Sequence, residues 1–238
     1  MAVAIVLAAG SGSRMQSRVA KQYMKLHNKE VLFYSLDAFN RHPMIDAIVV
    51  VARESEIDFC QKEIVSHYGF EKVVSVCAGG MERYLSVYNG LKVLASHTDN
   101  EIVIVHDGAR PFVTANMIDD VIVAAKEYGA CAVGVPAKDT IKIVDEASFG
   151  IDTPDRNFVY QIQTPQAFSF DVLMDAYEAM FATENDGKYK ITDDTMLVEQ
   201  YKGVRSKIVL GSFENIKITT PEDMEIAEIF AKKIFEKF

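Results

Sequence analysis

The stretch AIVLAAGSGSRMQSRVAKQY, from Ala4 to Tyr23, runs an apolar segment directly into a turn of glycine and serine at Gly10–Ser13. Two cations, Arg14 and Lys21, follow this turn. Glycine tolerates positive φ and carries no Cβ, so such a turn brings backbone N–H groups within reach of a phosphate. We therefore predict a buried strand that ends in a phosphate-binding loop. An ordinary strand-to-helix turn is the alternative.

Two common phosphate-binding signatures are missing from this turn. A dinucleotide fingerprint needs a third glycine where the chain has Met15, and an ATP-type phosphate loop needs a Gly-Lys-Ser/Thr sequence that the turn lacks. A reaction at a nucleoside triphosphate mainly requires positioned positive charge, which Arg14 and Lys21 supply. The turn therefore favours nucleotide chemistry, and a dinucleotide-linked dehydrogenase is the weaker alternative.

Length and composition set broad limits. The chain has 238 residues and is 49% hydrophobic, which suits one large α/β domain over residues 1–238. Its formal charge of −9 argues against a nucleic-acid binder. No apolar run approaches the roughly 20 residues of a membrane span, and the first residues lack a secretory layout. We therefore expect a cytoplasmic protein that binds neither nucleic acid nor membrane.

Short runs rich in valine and isoleucine alternate with segments of helical period up to Pro136. The runs predicted to be buried strands are Ala2–Ala8, Ala47–Val51, Val73–Cys77, Ile102–Val105 and Ala130–Val135. The helical segments between them are roughly Val31–Arg41, Glu56–Tyr68, Glu82–Leu94 and Ala115–Tyr128. This alternation predicts an α/β fold with a mainly parallel, twisted sheet flanked by helices.

The alternation stops after Pro136. Residues Ala137–Val159 show no helical period, which predicts an extended arm or hairpin. An isolated two-stranded hairpin is marginal in water, so we expect the arm to pack on a second copy of the chain, with packing on its own domain as the alternative. Further on, we predict helices at Phe170–Thr183, Thr192–Tyr201 and from Pro221, and strands at Ser206–Leu210 and Asn215–Ile218.

Two more loops follow predicted strands, at the sheet edge where open α/β folds bind ligands. The first, Gly79–Val87, begins with two glycines that leave room for a flat base and offers the Ser86 hydroxyl; a structural turn with a serine cap is the alternative. The second, His106–Pro111, places Asp107 where a carboxylate suits a magnesium ion that bridges phosphates. An ion pair of Asp107 with Arg110 is the alternative. The histidine that opens this loop is expected to be partly buried.

Taken together, the motifs resemble one enzyme family. The chain carries LAAGSGSRM at 7–15, KQY at 21–23, GGMERYLSVYNGL at 79–91, HDGARPF at 106–112, DTIK at 139–142, QTPQAF at 163–168 and NIKITTPED at 215–223. In this order they look like a 2-C-methyl-D-erythritol 4-phosphate cytidylyltransferase, over essentially the whole chain. The chain departs from the family pattern at Ala20, Gly108 and Tyr160, where proline, alanine and tryptophan are commoner. None of these differences removes a charge.

The resemblance implies a Rossmann-like nucleotidyltransferase domain whose projecting β-arm, residues 137–159, helps to form a homodimer. It implies that CTP and 2-C-methyl-D-erythritol 4-phosphate give 4-diphosphocytidyl-2-C-methyl-D-erythritol and pyrophosphate, with Mg²⁺ as cofactor, in the non-mevalonate route to isoprenoids. The nearest alternative is a ribitol 5-phosphate cytidylyltransferase, which shares the scaffold and acts on a similar polyol phosphate. A nucleotide-binding regulatory module without turnover is the alternative of another class.

The resemblance also assigns roles to individual residues. Arg14 and Lys21 match cations that stabilise the transition state, while Arg156 and Lys217 match the pair that positions the sugar phosphate. The residues implied in nucleotide binding are Ala8, Ala9, Gly10, Gly12, Gly80, Arg83 and Ser86. Those implied in binding the sugar phosphate are Asp107, Arg110, Thr140, Arg156, Thr164 and Lys217, and Asp107 is also the implied metal ligand.

Overall fold

The computed structural model describes residues 1–10, 12, 15, 19–96, 101–183 and 191–235. In these residues the strands are β1 (Ala2–Leu7), β2 (Lys25–Leu26), β3 (Lys29–Glu30), β4 (Ile45–Ala52), β5 (Val73–Ala78), β6 (Ile102–Asp107), β7 (Ala130–Pro136), β8 (Ile143–Val144), β9 (Gly150–Asp152), β10 (Tyr160–Ser169) and β11 (Lys207–Leu210). The α-helices are α1 (Val31–Arg41), α2 (Ile57–Phe59), α3 (Arg83–Ala95), α4 (Ala115–Tyr128), α5 (Phe170–Ala182), α6 (Asp194–Lys202) and α7 (Pro221–Phe235). Short 3₁₀ turns occur at Lys21–Tyr23, Glu54–Glu56 and Arg156–Phe158, and α2 continues as a π-helix over Cys60–Ser66.

Seven of these strands form one sheet, in the order β11-β7-β10-β6-β1-β4-β5. The strands β6, β1, β4 and β5 pair in parallel, as do β11 and β7. The strand β10 lies between β6 and β7 and is antiparallel to both. The mainly parallel sheet flanked by helices is therefore confirmed, with one antiparallel strand inserted near its middle.

The central strands of the sheet are buried on both faces, because helices cover both sides to which successive side chains point. The edge strand β5, which was predicted to be buried, is partly exposed, with Val74 at 45%. In β1, Ala4 and Val6 pack on one side with α1, α4 and α7, whereas Val3 and Ile5 pack on the other with α3, α5 and α6. This double burial explains why the strands read as unbroken apolar runs in the sequence. It also leaves the carboxyl ends of β1 and β6 as an open edge between the two helical layers.

Several local predictions need correction. The segment Asn215–Ile218 is irregular and not a strand, because it forms no ladder with a neighbouring strand: the Asn215 side chain, not its backbone, bonds to Gln163 and Thr164 of β10, and the Ile218 amide donates to the Ala109 carbonyl in a loop. The segment predicted as one helix over Glu56–Tyr68 changes its hydrogen-bonding pattern along its length. His106 is fully buried and belongs to β6, where a partly buried loop residue was expected.

The region 137–159 is extended, as predicted. Its two short strands, β8 and β9, pair only with each other and form a sheet separate from the main one. Apolar side chains of this arm are exposed within one chain, with Phe149 at 72% and Phe158 at 85% of full exposure. The arm therefore carries apolar surface that its own domain does not cover. None of the described helices has the length and apolar character required to cross a bilayer.

Candidate active site

A cleft of about 260 Å³ opens at the carboxyl ends of β1 and β6. Its walls are formed by the loop after β1, the 3₁₀ turn at Lys21–Tyr23 and the start of α3. The residues that line it are Leu7, Ala8, Ala9, Gly10, Lys21, Gln22, Gly80, Met81, Glu82, Arg83, Ser86, Asp107, Ala109 and Lys217. A smaller pocket of about 140 Å³ adjoins it, and Arg83, Asp107 and Lys217 line both. The two cavities thus share one charged wall.

The loop after β1 is anchored to the sheet. The Ala8 amide donates to the Val51 carbonyl at 2.7 Å, which continues the pairing of β1 with β4. Gly12 adopts a φ of +60°, a conformation that favours glycine, and packs beside the Lys21 side chain. Lys21 lines the cleft. Arg14, the other cation predicted in this loop, lies outside the described residues.

The turn between β5 and α3 is tightly packed. A Cβ on Gly79 would lie 2.5 Å from the Ala9 Cβ, so glycine is required there by the neighbouring loop. The Gly80 amide donates to Ser86 Oγ at 3.1 Å. Ser86 is buried, and its hydroxyl stabilises the turn by accepting this bond, as expected for a structural turn with a serine cap. Gly80, Ser86 and Arg83 nevertheless all line the cleft.

Asp107 is the centre of a cluster of positive charge. Its Oδ2 lies 2.8 Å from Lys217 Nζ and 3.6 Å from Arg110 Nε, and its Oδ1 lies 3.7 Å from Arg83 Nε. Burial by itself raises the pKa of this carboxyl, but the nearby cations outweigh burial and hold the pKa well below its usual range. Asp107 is therefore ionised at neutral pH and holds three cations at the wall between the two cavities.

Arg83 is held from its other side by a buried carboxylate that the sequence reasoning missed. Arg83 Nη1 lies 2.6 Å from Asp194 Oδ2, and Asp194 Oδ1 accepts a hydrogen bond from Tyr177 at 2.6 Å. The Asp194 amide donates to Gln166 Oε1 at 3.2 Å, and Asp194 is 1% exposed. Burial raises the pKa of Tyr177, and the adjacent Asp194 carboxylate raises it further. Tyr177 is therefore a neutral donor to this carboxylate.

The sequence carries only a weak signal for Asp194. Two aspartates follow Thr192 at a predicted helix start, and acidic residues there are ordinarily interpreted as caps. Asp193 does cap α6, because its Oδ1 accepts from the Met196 amide at 2.9 Å. Asp194, one residue later, points instead to Arg83, 111 positions earlier in the chain.

His106 links β6 to β10 beneath the cluster. Its Nε2 lies 3.2 Å from the Arg110 carbonyl, which only accepts, so this nitrogen carries the proton. Its Nδ1 then accepts from Thr164 Oγ1 at 3.1 Å, and the same hydroxyl oxygen accepts from the Asp107 amide at 3.0 Å. Thr164 thus holds the backbone that presents Asp107. Burial lowers the pKa of His106 to about 4.

We expect the stability of the fold to fall as pH drops from 6.5 to 4. In this window the unfolded chain binds a proton at His106 that the folded chain excludes, so acid favours unfolding by at most about 1.4 kcal/mol per pH unit and roughly 3 kcal/mol in all. Urea unfolding at several pH values measures this slope. In a His106→Gln variant the slope should be smaller by the amount that one bound proton contributes. An unchanged slope would contradict a buried, neutral His106.

Two predicted site residues, both on the arm, lie away from the cleft of their own chain, and a third, Gly12, lines neither cavity. Arg156 sits on the arm, where its Nη1 donates to the Lys138 carbonyl at 3.3 Å, and it is exposed. Thr140 is also on the arm and exposed. Neither residue lines either cavity. The predicted residues that the structure brings together are Ala8, Ala9, Gly10, Lys21, Gly80, Arg83, Ser86, Asp107, Arg110, Thr164 and Lys217.

Comparisons with known proteins agree with this geometry. A model of the 2-C-methyl-D-erythritol 4-phosphate cytidylyltransferase family matches residues 2–233. The enzyme of that name from Lachnoclostridium phytofermentans is 49% identical, over 97% of this chain and 96% of that protein. The one from Clostridium botulinum is 44% identical, over 97% of both chains. The crystal structure of 4-diphosphocytidyl-2C-methyl-D-erythritol synthase from Anaerococcus prevotii is 35% identical, with a TM-score of 0.83 over 97% of this chain and 96% of that one.

Each of these comparisons covers nearly the full length of both proteins. Together with the sheet order and the cleft at the ends of β1 and β6, these similarities show that the chain belongs to the 2-C-methyl-D-erythritol 4-phosphate cytidylyltransferase family.

Proposed function

We propose that this chain joins CTP to 2-C-methyl-D-erythritol 4-phosphate and releases pyrophosphate. The observation that carries the proposal is the wall of Arg83, Asp107 and Lys217 between two adjoining cavities. A cytidylyl transfer brings two anions together, and its barrier falls when cations are already positioned between them. The site thus supplies what this reaction needs.

The two cavities divide the substrates. The larger one is bounded by the glycine-rich loop after β1 and by Gly80 and Ser86, and it takes CTP with the base towards α3. The smaller one is lined by Arg110, Thr164 and Lys217 and takes the sugar phosphate. The Arg110 guanidinium is held beside this pocket by Asp107, whose Oδ2 lies 3.6 Å from Arg110 Nε.

The nucleophile needs no general base. A phosphate monoester has a second pKa near 6, so the sugar phosphate is mostly dianionic at neutral pH. One of its oxygens forms a bond to the α-phosphorus of CTP, the bond from that phosphorus to the bridging oxygen breaks, and pyrophosphate leaves with the electron pair. Lys21 faces the loop where this charge develops, and His106, which is fully buried, takes no part in proton transfer.

Asp107 is the carboxylate that would hold a Mg²⁺ ion in the cleft, and the ion would then compete with Lys217 for Oδ2. The ion prefers oxygen ligands and is commonly bound by one or two carboxylates together with substrate phosphates. Asp107 is an ionised carboxylate that lines both cavities, while the described residues contain no cluster of three or more histidine, cysteine, aspartate or glutamate side chains suited to a metal. The triphosphate would supply the other ligands, and the bound ion would neutralise its charge.

A pyrophosphate-release assay tests the reaction. CTP and UTP are each combined with 2-C-methyl-D-erythritol 4-phosphate or ribitol 5-phosphate, with and without Mg²⁺. We expect release that depends on CTP, on the erythritol phosphate and on the metal. A preference for ribitol phosphate, which the family comparisons do not favour, would overturn the substrate assignment. CTP binding without release would indicate the regulatory module.

We further propose that the arm completes the site of a second copy. Its exposed side chains Phe149, Ile151 and Phe158 provide an apolar surface for a partner, and an unpaired two-stranded hairpin gains stability by such packing. Arg156 lies on this arm and away from the cleft of its own chain. In a homodimer it would reach the sugar phosphate bound by the partner.

Mixing two inactive variants tests this arrangement. Lys21→Ala and Arg156→Ala should each have little activity alone, because each removes a cation from every site. When subunits exchange freely, half of the dimers are mixed and each has one intact site, so about a quarter of the wild-type activity should return. Absence of recovery after verified subunit exchange would place Arg156 in its own subunit's site or outside the reaction.

A further inference from the structure

The carbonyl groups of the loop after β1 are bound by side chains from outside the loop. Gln22 Nε2 donates to the Ala8 carbonyl at 2.6 Å. Arg53 donates to the next two, through Nη2 to Gly10 at 2.8 Å and through Nε to Ala9 at 3.4 Å. Three consecutive carbonyls are therefore held by two side chains, and the planar fork of an arginine suits a pair of neighbouring acceptors.

Glu56 connects the two donors. Its Oε1 lies 3.5 Å from Arg53 Nη1, and its Oε2 accepts from Gln22 Nε2 at 3.4 Å. Gln22 is 2% exposed and follows Lys21 directly, so the same contact fixes the position of that lysine beside the loop. We refer to Gln22, Arg53 and Glu56 as the carbonyl brace.

The carbonyl brace determines where the loop amides point. In a trans peptide unit the carbonyl of one residue and the N–H of the next point in opposite directions. The amides of Ala9 and Gly10 therefore point away from the brace. Within the described ranges neither amide has a hydrogen-bond acceptor, and both residues line the cleft. Adjacent unpaired amides in such a loop form a binding site for an anion.

We infer that Arg53, held by Glu56, is a positioning residue that turns the amides of this loop towards the triphosphate. Arg53 does not line either cavity and acts through the backbone, without touching the nucleotide. The inference rests on the proposed function in one respect, because it takes the ligand of the loop to be the triphosphate of CTP. Its test uses the polyphosphate group alone and so does not require turnover.

Isothermal titration calorimetry of the full chain with inorganic triphosphate measures the dissociation constant of this anion. We expect Arg53→Met to raise the dissociation constant roughly tenfold, which corresponds to about 1.4 kcal/mol. Arg41→Met is the matched control, because Arg41 forms an ion pair with Asp37 at 2.8 Å on the exposed side of α1. It should bind as tightly as wild type. Equal affinities for both variants, or no binding by the wild type, would overturn the inference.

Loss of a positive charge near the loop would by itself weaken anion binding, and Glu56→Ala separates this effect from positioning. Removing a negative charge tightens anion binding if charge alone matters. Removing the shared partner of Arg53 and Gln22 loosens the loop and weakens binding if positioning matters. We expect weaker binding by Glu56→Ala, and tighter or unchanged binding would contradict the proposal.

Arg53→Lys gives a second comparison that does not depend on charge. Lysine keeps the cation but lacks the fork that serves two carbonyls, so we expect binding that stays clearly weaker than wild type. In the release assay, Arg53→Met should raise KM for CTP and leave KM for the sugar phosphate unchanged. A wild type that binds triphosphate without releasing pyrophosphate would count against the proposed reaction and leave the carbonyl brace supported.

Discussion

Replacing Lys21 by alanine should lower the turnover number for pyrophosphate release by about 10²-fold or more, with a much smaller change in KM for CTP. Lys21 lines the cleft beside the glycine-rich loop, and Gln22, the next residue, is bonded to the loop through the Ala8 carbonyl. Because the neighbouring residue is anchored in this way, Lys21 needs little reorganisation when charge develops on the α-phosphate. Its loss therefore affects the transition state more than the bound substrate.

Steady-state release rates with both substrates varied measure this effect. Lys126→Ala is the control, because Lys126 is about half exposed on α4 and its ion pair with Glu101 is long at 3.9 Å. It should keep wild-type kinetics, since exposed ion pairs contribute little. Unfolding curves of Lys21→Ala should match those of the wild type. An unchanged turnover number in Lys21→Ala would remove this residue from the site.

Replacing Asp194 by alanine should lower the free energy of unfolding by at most about 3–5 kcal/mol, because it removes a buried carboxylate and leaves the half-buried Arg83 guanidinium without its closest partner. The change also removes the hydrogen-bond acceptor of the buried Tyr177 hydroxyl. Because its pKa is raised, this hydroxyl stays protonated and would be left without an acceptor. Freed from Asp194, Arg83 would keep its longer ion pair with Asp107 at 3.7 Å. The remaining folded protein should therefore also lose activity.

Urea unfolding gives the change in free energy, provided that the slope against denaturant is unchanged. Asp175→Ala is a matched control, because Asp175 pairs with Lys202 at 2.8 Å but both side chains are exposed. We expect a loss below about 1 kcal/mol for that variant. Similar losses for the two variants would show that burial does not decide the strength of the Arg83 pair. The loss in free energy of unfolding for Tyr177→Phe should lie between those for Asp175→Ala and Asp194→Ala.

Much of the fold could be predicted because its signals are local. The predicted helices at 31–41 and 115–128 match α1 and α4 within their stated bounds, since period and capping are properties of neighbouring residues. Thr114 caps α4, and Gly129 ends it with a φ of +81°. The apolar runs likewise indicated strands buried on both faces. The order of the motifs along the chain also indicates the family from the sequence alone.

The strand β10 was missed because its local signal is weak. Its sequence contains a proline and several polar residues, among them Gln163, Thr164 and Gln166, which are buried in the fold. These side chains have partners on distant segments: Gln163 bonds to Ser212, Thr164 to His106, and Gln166 to the residues before α6. A polar strand of this kind is stable only when those partners are present, which no local pattern reveals.

The sequence by itself determined the alternation of strands and helices, the glycine-rich loop after β1 and the set of charges that the reaction needs. Only the tertiary structure decided that Lys217 meets Asp107, that Asp194 holds Arg83, and that Arg53 and Gln22 bind the carbonyls of the loop. The physical reason is the separation along the chain of the residues that interact. Periodicity and turns depend on neighbouring residues, whereas ion pairs and buried hydrogen bonds depend on which segments the sheet order brings to the same edge.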